Sequence, residues 1–360
     1  MKEKIVNKIV LFLGAGASKA FGLPLTGEIF PLIIEKINNK TLFDGNKNEQ
    51  IELQSFIGNL LPGIKKLTVT QYPMITDILS LLDHTIINGN TIWNKGKNKD
   101  LQYYRHLFEK AIFEVLDIQF SQNNKYNLGY KTAVLRQFTN WIFQNHKENY
   151  FSIVSTNYDI AVEQEVYNYL RESKEKIPQV VDFGVNWRDV ELDFINLRPF
   201  NPKIGIFKLH GSTNWLKCNL CNHIYINTSG TIYHQAFRND IDDYNSCDCG
   251  NAPLNSLIIA PSLAREIQDT NLPHIWNNAL EQLRIADEWI IIGYSFPPED
   301  LNIKSMFLRA FNGRNTKPKI TVVQRGEEVK PRYEAIFDEI DYITGGLEKF
   351  IELKHKEMYQ

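Results

Sequence analysis

Short apolar runs, each followed at once by small or polar residues, recur along the chain. Unbroken apolar runs of this length are typical of parallel strands that are buried on both faces. The pattern therefore predicts a set of buried strands. They are expected at residues 9–13, 150–155, 205–209, 257–260, 289–293 and 320–323.

Helical periodicity fills much of the chain between these runs. Apolar side chains recur every three or four residues over 101–120 and 130–146, which predicts two amphipathic helices. Asp300 is placed to cap a further helix. Strands that alternate with helices predict an α/β fold with a doubly wound, mostly parallel, Rossmann-like sheet. The remaining helices are expected at 160–171, 273–286 and 300–311.

The same pattern divides the chain into four parts. Residues 51–149 are expected to be a helical insertion, and residues 35–50 a polar surface excursion. A hairpin is expected at 224–233. The Rossmann-like core is assigned to 1–50, 150–215 and 255–330, a small cysteine-bearing module to 216–254, and a helical tail to 331–360.

The bulk composition is that of an ordinary globular chain. Of 360 residues, 43% are hydrophobic and 23% charged, and the formal net charge is −2. No overall basic field indicates a nucleic-acid partner. No apolar run approaches the length that spans a bilayer, and the lysine-rich start leads into a predicted strand, not a signal peptide. We therefore expect a cytoplasmic protein with no membrane partner and no direct nucleic-acid binding.

A glycine turn follows the first apolar run. Gly14, Ala15 and Gly16 lead into residues that can begin a helix. Glycine lets the backbone approach a ligand closely, and the unpaired N–H groups and dipole of a helix N-terminus favour an anion. The turn therefore predicts a site for the pyrophosphate of a dinucleotide. A tight turn that binds nothing is the alternative, since Lys19 replaces the third glycine of the dinucleotide fingerprint.

Polar or glycine-containing turns also follow the other strands. The ligand crevice of such a sheet lies at the carboxyl ends of its strands. Each turn has an ordinary explanation: Asn157 and Asp159 can form a turn and a helix cap, His210 a satisfied core histidine, and Gly293 a turn. Their coincidence at one edge favours a binding site. The five turns lie at 14–18, 156–159, 210–211, 293–295 and Gln324.

All the cysteines lie close together in sequence. Clustering in a large chain without a secretion signal favours metal binding over disulfides. Two close pairs of thiols predict a structural zinc site. His223 or His234 could replace a cysteine as ligand, and simple free thiols are the alternative. The four are Cys218, Cys221, Cys247 and Cys249.

In their order along the chain, these motifs resemble the sirtuin family, and specifically its divergent prokaryotic branch. The similar stretches are the phosphate loop (14–18 with 22–24), the Thr-Gln-Asn-Ile-Asp element (155–159), the catalytic histidine turn (209–211), the zinc ribbon (218–221) and the Gly-Thr-Ser element (293–295). The resemblance implies that NAD is bound and that its bond to nicotinamide is cleaved.

The resemblance also implies roles for individual residues. It assigns Asp159 to the nicotinamide carboxamide, Asn157 to the ribose and an ordered water, and His210 to the ribose hydroxyls or to a general base. Backbone N–H groups of residues 14–18 would hold the phosphates. The residues implied to bind NAD are Gly14, Ala15, Gly16, Ser18, Thr156, Gly293, Ser295 and Gln324.

The chain departs from the deacylating sirtuins at three places. Leu-Thr-Gly at 25–27 stands where those enzymes carry Asp-Phe-Arg, and Thr156 replaces a glutamine. Ile-Ala-Pro-Ser at 259–262 lies where they carry Phe-Gly-Glu beside the acyl-peptide groove. The losses at 25–27 and 259–262 favour water as the nucleophile, and hence hydrolysis of NAD to nicotinamide and ADP-ribose.

The resemblance extends to sirtuin-like effectors of bacterial antiviral defence that deplete NAD. Such an activity implies restraint by a regulatory protein partner, by a homo-oligomer, or by the helical insertion near the crevice. A protein-lysine deacylase is the second hypothesis. A sensor that binds NAD or ADP-ribose without turnover is the third.

Overall fold

The computed structural model describes residues 7–89, 100–125, 129–146, 148–190, 195–237, 246–250, 252–259, 271–298 and 300–358. Within these residues no helix combines the length and the apolar character needed to cross a membrane.

The strands of the described residues fall into two sheets. In chain order they are β1 (Asn7–Leu13), β2 (Asn149–Ser155), β3 (Val181–Asp182), β4 (Trp187–Asp189), β5 (Ile195–Asn196), β6 (Ile204–Lys208), β7 (Gly211–Cys218), β8 (Ile224–Ile226), β9 (Ser246–Cys247), β10 (Ala252–Ile258), β11 (Glu288–Ile292), β12 (Lys319–Val323) and β13 (Asp341–Ile343).

The helices lie mostly between these strands. They are α1 (Ala15–Ala20), α2 (Thr26–Asn38), α3 (Lys47–Leu60), α4 (Ile75–Ile87), α5 (Leu101–Lys125), α6 (Gly129–Gln144), α7 (Ala161–Glu172), α8 (Ile177–Val180), α9 (Tyr233–Phe237), α10 (Leu272–Ile285), α11 (Leu301–Asn312), α12 (Lys330–Glu334) and α13 (Gly346–Met358), with 3₁₀ turns at Leu42–Gly45, Ile64–Lys66 and Val69–Gln71.

The larger sheet has the order β13-β12-β11-β1-β2-β6-β3, and its strand pairs are parallel. β1 lies near its middle because the apolar run at 9–13 is buried on both faces. Leu13, the last residue of β1, pairs with Ser155 on one side and with Ile292 on the other. The residues that follow these strands therefore lie side by side along one edge.

A smaller sheet of order β5-β4-β8-β7-β10-β9 carries the cysteines. Together with the parallel sheet and the helical region, it confirms the predicted fold class. The predicted hairpin at 224–233 is wrong, because β8 pairs with the preceding β7 and Tyr233 begins a helix. The predicted strand at 257–260 falls partly in β10, which pairs with β7 in this sheet and not in the parallel one. Residue 260 lies outside the described residues.

The buried apolar side chains form two clusters. One surrounds the parallel sheet, and the other lies between helices α2 to α5 and the smaller sheet. Within the polar stretch 35–50, Leu42 and Phe43 are buried in the second cluster, so this stretch is not only a surface excursion. Burial of two large apolar side chains outweighs the polarity of their neighbours. The four-part division of the chain stays a prediction.

Replacing Gly211 by alanine should destabilise the fold. Gly211 has a φ of +75°, and a Cβ there would lie 1.9 Å from the carbonyl oxygen of Leu257 in β10. The two strands would have to separate, at a cost of about 3 kcal/mol or more. The measurement is the urea midpoint of each variant.

Gly230→Ala is the matched control, because no described atom lies within 4 Å of a Cβ at that position. Equal midpoints for the two variants would contradict the close approach of β7 and β10.

Candidate functional site

A cavity of about 790 Å³ lies at the carboxyl edge of the parallel sheet. This volume falls within the range of small-molecule sites. Almost all the residues that the sequence nominates for NAD binding and catalysis line it. They are Ala15, Gly16, Ser18, Thr156, Asn157, Asp159, His210, Gly293, Ser295 and Gln324.

The opposite wall of the cavity comes from the helical region. Met74, Thr76, Asp77 and Ser80, at or near the start of α4, line it, and so does Leu116 of α5. The side chains that enclose the cavity therefore come from segments far apart in the chain. Residues 24–29, which include the Leu-Thr-Gly departure, complete this side.

The glycine turn after β1 packs directly on the turn after β11. The Gly14 N–H donates to the Ile292 carbonyl at 3.0 Å, and the Gly16 N–H to the Gly293 carbonyl at 2.8 Å. A Cβ on Gly16 would lie 2.7 Å from the Gly293 Cα. Gly293 has a φ of +64°, and its own Cβ would lie 2.2 Å from the Ala17 nitrogen. Both turns need glycine to approach this closely.

This packing bears on the predicted phosphate contacts. The N–H groups of Gly14 and Gly16 donate to carbonyls of the neighbouring turn, and that of Ala17 donates to the Gly14 carbonyl at 2.9 Å. These three N–H groups are thus engaged within the protein. Gly14 itself is not among the described residues that line the cavity. Gly14 holds the turn through its backbone hydrogen bonds, and its contact with NAD stays a prediction.

A hydrogen-bond network joins the first and second strand ends. The Asn157 amide nitrogen donates to the Gly14 carbonyl and to the Ser18 hydroxyl, both at 2.9 Å. The Ser18 hydroxyl donates to the Asp159 carboxylate at 2.6 Å. The other carboxylate oxygen accepts the Ala161 N–H at 3.1 Å, two residues further on, as in an Asx turn; the N-cap of α7 is Ile160. The network fixes these side chains and leaves the Asn157 carbonyl oxygen as the acceptor that it can offer to a ligand.

A buried ion pair supports the turn at residues 156–159. The Lys208 ammonium lies 2.6 Å from the Glu163 carboxylate and donates to the Asp159 carbonyl at 2.5 Å. The side chains are only 2% and 5% exposed. Burial raises the pKa of Glu163, and the Lys208 charge opposes this rise. Removing one partner would leave an uncompensated buried charge, so we expect the pair to hold the turn rigidly.

His210 lies two residues after the end of β6 and is buried. Its Nδ1 lies 3.3 Å from the Thr156 carbonyl oxygen, which can only accept a hydrogen bond. Nδ1 therefore carries the proton, and Nε2 is left as an acceptor. Nε2 is buried and has no hydrogen-bond partner among the described residues. Burial lowers the pKa of His210, while the Asp300 carboxylate and the Thr156 carbonyl oppose the shift.

The turn after β11 is tied to the turn after β12. The Gln324 amide donates to the Tyr294 carbonyl at 2.5 Å, and the Tyr294 hydroxyl donates to the Asp300 carboxylate at 2.6 Å. Asp300 precedes α11 as predicted, but its carboxylate caps no backbone N–H in the structure. It lines the cavity instead, as a buried acid. Ser295 is exposed at the rim, where its carbonyl accepts from Arg332 at 2.9 Å.

The four cysteines lie together, away from the cavity. Their sulfur atoms all fall within 4.8 Å of one another, with Cys218 3.6 Å from Cys249 and Cys221 3.5 Å from Cys247. Tetrahedral zinc with bonds of about 2.3 Å places sulfur atoms about 3.8 Å apart. The cluster is consistent with structural zinc. His223 Nδ1 lies 3.2 Å from the Cys221 sulfur, and the His234 side chain lies outside the described ones.

Several charged residues of the site were not predicted from the sequence. Lys208 gave one signal, as a lysine in an otherwise apolar strand, but its partner Glu163 gave none. Asp300 was expected only as a helix cap. Lys19 and Glu28 also line the cavity and form an ion pair at 2.7 Å. Although burial raises the pKa of Glu28, hydrogen bonds from Lys19 and the Leu25 N–H lower it overall.

Comparison with known proteins yields solved structures alone. No protein-family model and no curated protein matches the chain. The chain is similar to "Sir2-p53 peptide-NAD+" (TM-score 0.42, 11% identity, 98% of this chain and 93% of that chain). It is also similar to a chain from "Structural Basis for the Mechanism and Regulation of Sir2 Enzymes" (TM-score 0.42, 12% identity, 98% of this chain and 93% of that chain). A third match is a mutant of a Sir2 homologue in complex with ADP ribose (TM-score 0.41, 13% identity, 98% of this chain and 93% of that chain).

TM-scores below 0.5 at such identities carry no argument about function. Membership of the sirtuin family therefore stays the prediction that the sequence motifs make.

His210 should titrate below pH 6.5, the ordinary value for histidine, because burial disfavours its charged form. The unfolded chain then binds the proton at a higher pH than the folded chain does. Stability from this group is present above about pH 6.5 and falls as the pH drops toward the folded pKa. Imidazole NMR signals followed against pH, with His210→Asn for assignment, measure it. A His210 pKa at or above 6.5 would contradict the buried, neutral ring.

Proposed function

We propose that the chain is an NAD+ glycohydrolase that converts NAD and water to nicotinamide and ADP-ribose. The observation that carries the proposal is a single cavity at the carboxyl edge of a parallel sheet. It combines two closely packed glycine turns with a buried histidine whose Nε2 has no hydrogen-bond partner in the described part of the chain. A dinucleotide crevice has this position in doubly wound sheets.

The reaction demands little acid catalysis. The bond between the ribose C1′ and the nicotinamide nitrogen breaks, and its electron pair neutralises the pyridinium cation. A water oxygen forms the new bond to C1′, and one proton is released. The protein must therefore stabilise a ribose with oxocarbenium character and place water beside it.

His210 is suited to hold the ribose. With its proton on Nδ1, the ring offers the Nε2 lone pair to a ribose hydroxyl or to the proton that is released. A lowered pKa keeps this lone pair free at neutral pH. A ligand hydroxyl would also satisfy this buried Nε2, for which the residues described offer no hydrogen-bond partner.

Asn157 and Asp159 are linked through the Ser18 hydroxyl, which accepts a hydrogen bond from Asn157 and donates one to Asp159. The Asn157 carbonyl oxygen is available to orient a ribose hydroxyl or the attacking water. The Asp159 carboxylate is suited to the nicotinamide carboxamide and adds negative charge near a developing cation. Its bonds to Ser18 and Ala161 hold it in place before the ligand arrives.

The departures from the deacylases favour water over an acyl peptide. Leu25, Thr26 and Gly27 line the cavity, so at these three positions the chain carries neither the aromatic residue nor the arginine of the deacylases. Of the third departure, only Ile259 lies among the described residues. A protein-lysine deacylase with the same histidine is the second candidate, and a sensor that binds without turnover is the third.

The cellular role that we propose is NAD depletion in antiviral defence, restrained until it is triggered. The helical region supports a means of restraint, because Met74, Thr76, Asp77 and Ser80 form one wall of the cavity. A protein partner or a second copy that moved α4 would change access to the site. The cytoplasmic location stays an expectation.

We also propose that the four cysteines bind one zinc ion that stabilises the smaller sheet. Cys218 ends β7 and Cys247 ends β9, and both strands pair with β10. Four thiolates leave no open coordination position for catalysis. None of the cysteines is among the described residues that line the cavity.

Zinc content should be one ion per chain and should fall in Cys218→Ser, with a lower melting temperature, since the metal links β7 to β9. Metal analysis and thermal unfolding measure the two effects. Leu220→Ser is the control, because Leu220 is exposed in the same turn. Unchanged zinc content in Cys218→Ser would contradict a four-cysteine site.

Purified chain incubated with NAD alone should release nicotinamide and ADP-ribose. His210→Ala and Asn157→Ala should each lower turnover by about 100-fold or more, as is typical for the loss of a catalytic side chain. His274→Ala, at an exposed histidine of α10, is the control. Chromatography of the products measures turnover, and circular dichroism confirms that each variant is folded.

Nicotinamide that appeared only with an acylated peptide would establish the deacylase instead. Binding of NAD without nicotinamide release, unaffected by His210→Ala, would favour the sensor.

A further inference from the structure

One end of the cavity carries an ion pair that the proposed reaction does not use. Gln324, Arg325, Gly346 and Leu347 line this end, beyond the turn after β12. Arg325 Nη2 lies 3.0 Å from an oxygen of Glu348, in the first turn of α13. We propose that this pair distinguishes a ribose 2′-hydroxyl from a 2′-phosphate, so that the site prefers NAD to NADP. The inference rests on the proposed function.

The sheet order separates this pair from the reacting end. His210 follows β6 and Gln324 follows β12, and the order β6-β2-β1-β11-β12 puts four strand spacings between them. Four spacings amount to about 19 Å. In doubly wound sheets the two halves of a dinucleotide lie on either side of the central strand. If His210 holds the ribose of nicotinamide, the adenosine half faces the end of β12.

The pair is held against the backbone of a glycine turn. The Gly345 N–H donates to the Arg325 carbonyl at 3.2 Å, and the Gly346 N–H to the Gln324 carbonyl at 2.8 Å. Gly346 has a φ of +72°, and a Cβ there would lie 3.1 Å from Glu348 Oε2 and 3.4 Å from Arg325 Cγ. Arg325 therefore lines the cavity, and Glu348 lies beside the lining residues Gly346 and Leu347 without being among the described lining residues itself.

Glu348 uses only one of its two carboxylate oxygens on Arg325. Its Oε2 is buried and has no hydrogen-bond partner among the described residues, while the Arg325 side chain is 60% exposed. A carboxylate at the end of a strand that binds adenosine accepts a hydrogen bond from the 2′-hydroxyl, whereas a free arginine accommodates a 2′-phosphate. Here the carboxylate both offers an acceptor and occupies the guanidinium.

The two charges act in opposite directions on a phosphorylated ribose. Glu348 repels the phosphate and neutralises the arginine that would otherwise bind it in a bidentate manner. In Glu348→Gln the repulsion is lost and Arg325 becomes available. The variant should therefore accept the 2′-phosphate, whereas Arg325→Gln should not.

The experiment compares two ligands that lack nicotinamide, so that binding is measured without hydrolysis. ADP-ribose and its 2′-phosphate are titrated into the full chain by calorimetry. We expect wild type to prefer ADP-ribose, and Glu348→Gln to shift the ratio of dissociation constants at least tenfold toward the 2′-phosphate. Glu348→Gln combined with Arg325→Gln should lose most of the gain. Glu352→Gln is the matched control, since Glu352 pairs with Lys349 and Lys356 one turn further along α13.

Each outcome has one meaning. A ratio that moves in Glu348→Gln and not in Glu352→Gln supports the proposal. A ratio unchanged in Glu348→Gln overturns it, and so does the absence of binding by both ligands. The proposed hydrolysis is judged separately, by nicotinamide release from NAD, so the failure of either idea is distinguishable from that of the other.

Discussion

The contact between two glycine turns is the constraint on which the site depends. Gly16 and Gly293 follow neighbouring parallel strands, and their backbones approach so closely that neither position has room for a Cβ. The contact aligns the ends of β1 and β11, and Asn157 extends the same alignment to the end of β2 by bonding the Gly14 carbonyl. Polar groups from three strands are thereby held in one row before any ligand binds. Such preorganisation reduces the cost of ordering them during a reaction.

Most of the polar groups at this edge satisfy one another. Asn157, Ser18 and Asp159 form a chain of hydrogen bonds, and Lys208 neutralises Glu163 beneath them. A buried polar network is stable when its members are paired, because an unpaired group retains its full desolvation penalty. The Nε2 of His210 differs from these groups, since no described residue hydrogen-bonds to it. A buried histidine acceptor that has no partner among the described residues and lies beside a cavity fits a site whose remaining partner is a ligand.

The sequence predicted those features that depend on local order. The run at 9–13 forms β1 because continuous apolar character suits only a strand buried on both faces, and the turns after the strands meet because parallel strands share one carboxyl edge. What it missed depends on contacts between distant segments. Nothing near Glu163 indicated that Lys208 would neutralise it, and no local pattern placed α4 across the cavity. The hairpin at 224–233 was wrong for the same reason, since β8 finds its partner in the preceding β7.

The charges around the cavity suit a ligand with a cationic end and an anionic middle. Among the described residues that line it, four are acids, namely Glu28, Asp77, Asp159 and Asp300, whereas Lys19 and Arg325 are the lysine and arginine. Both of these cations are already paired with carboxylates. Such a lining would repel a simple polyanion but would stabilise a pyridinium or an oxocarbenium-like ribose. Lys19, near the glycine turn, could exchange Glu28 for a diphosphate. The proposed substrate agrees with this charge balance, because the nicotinamide end of NAD would bring its own positive charge into an acidic cavity.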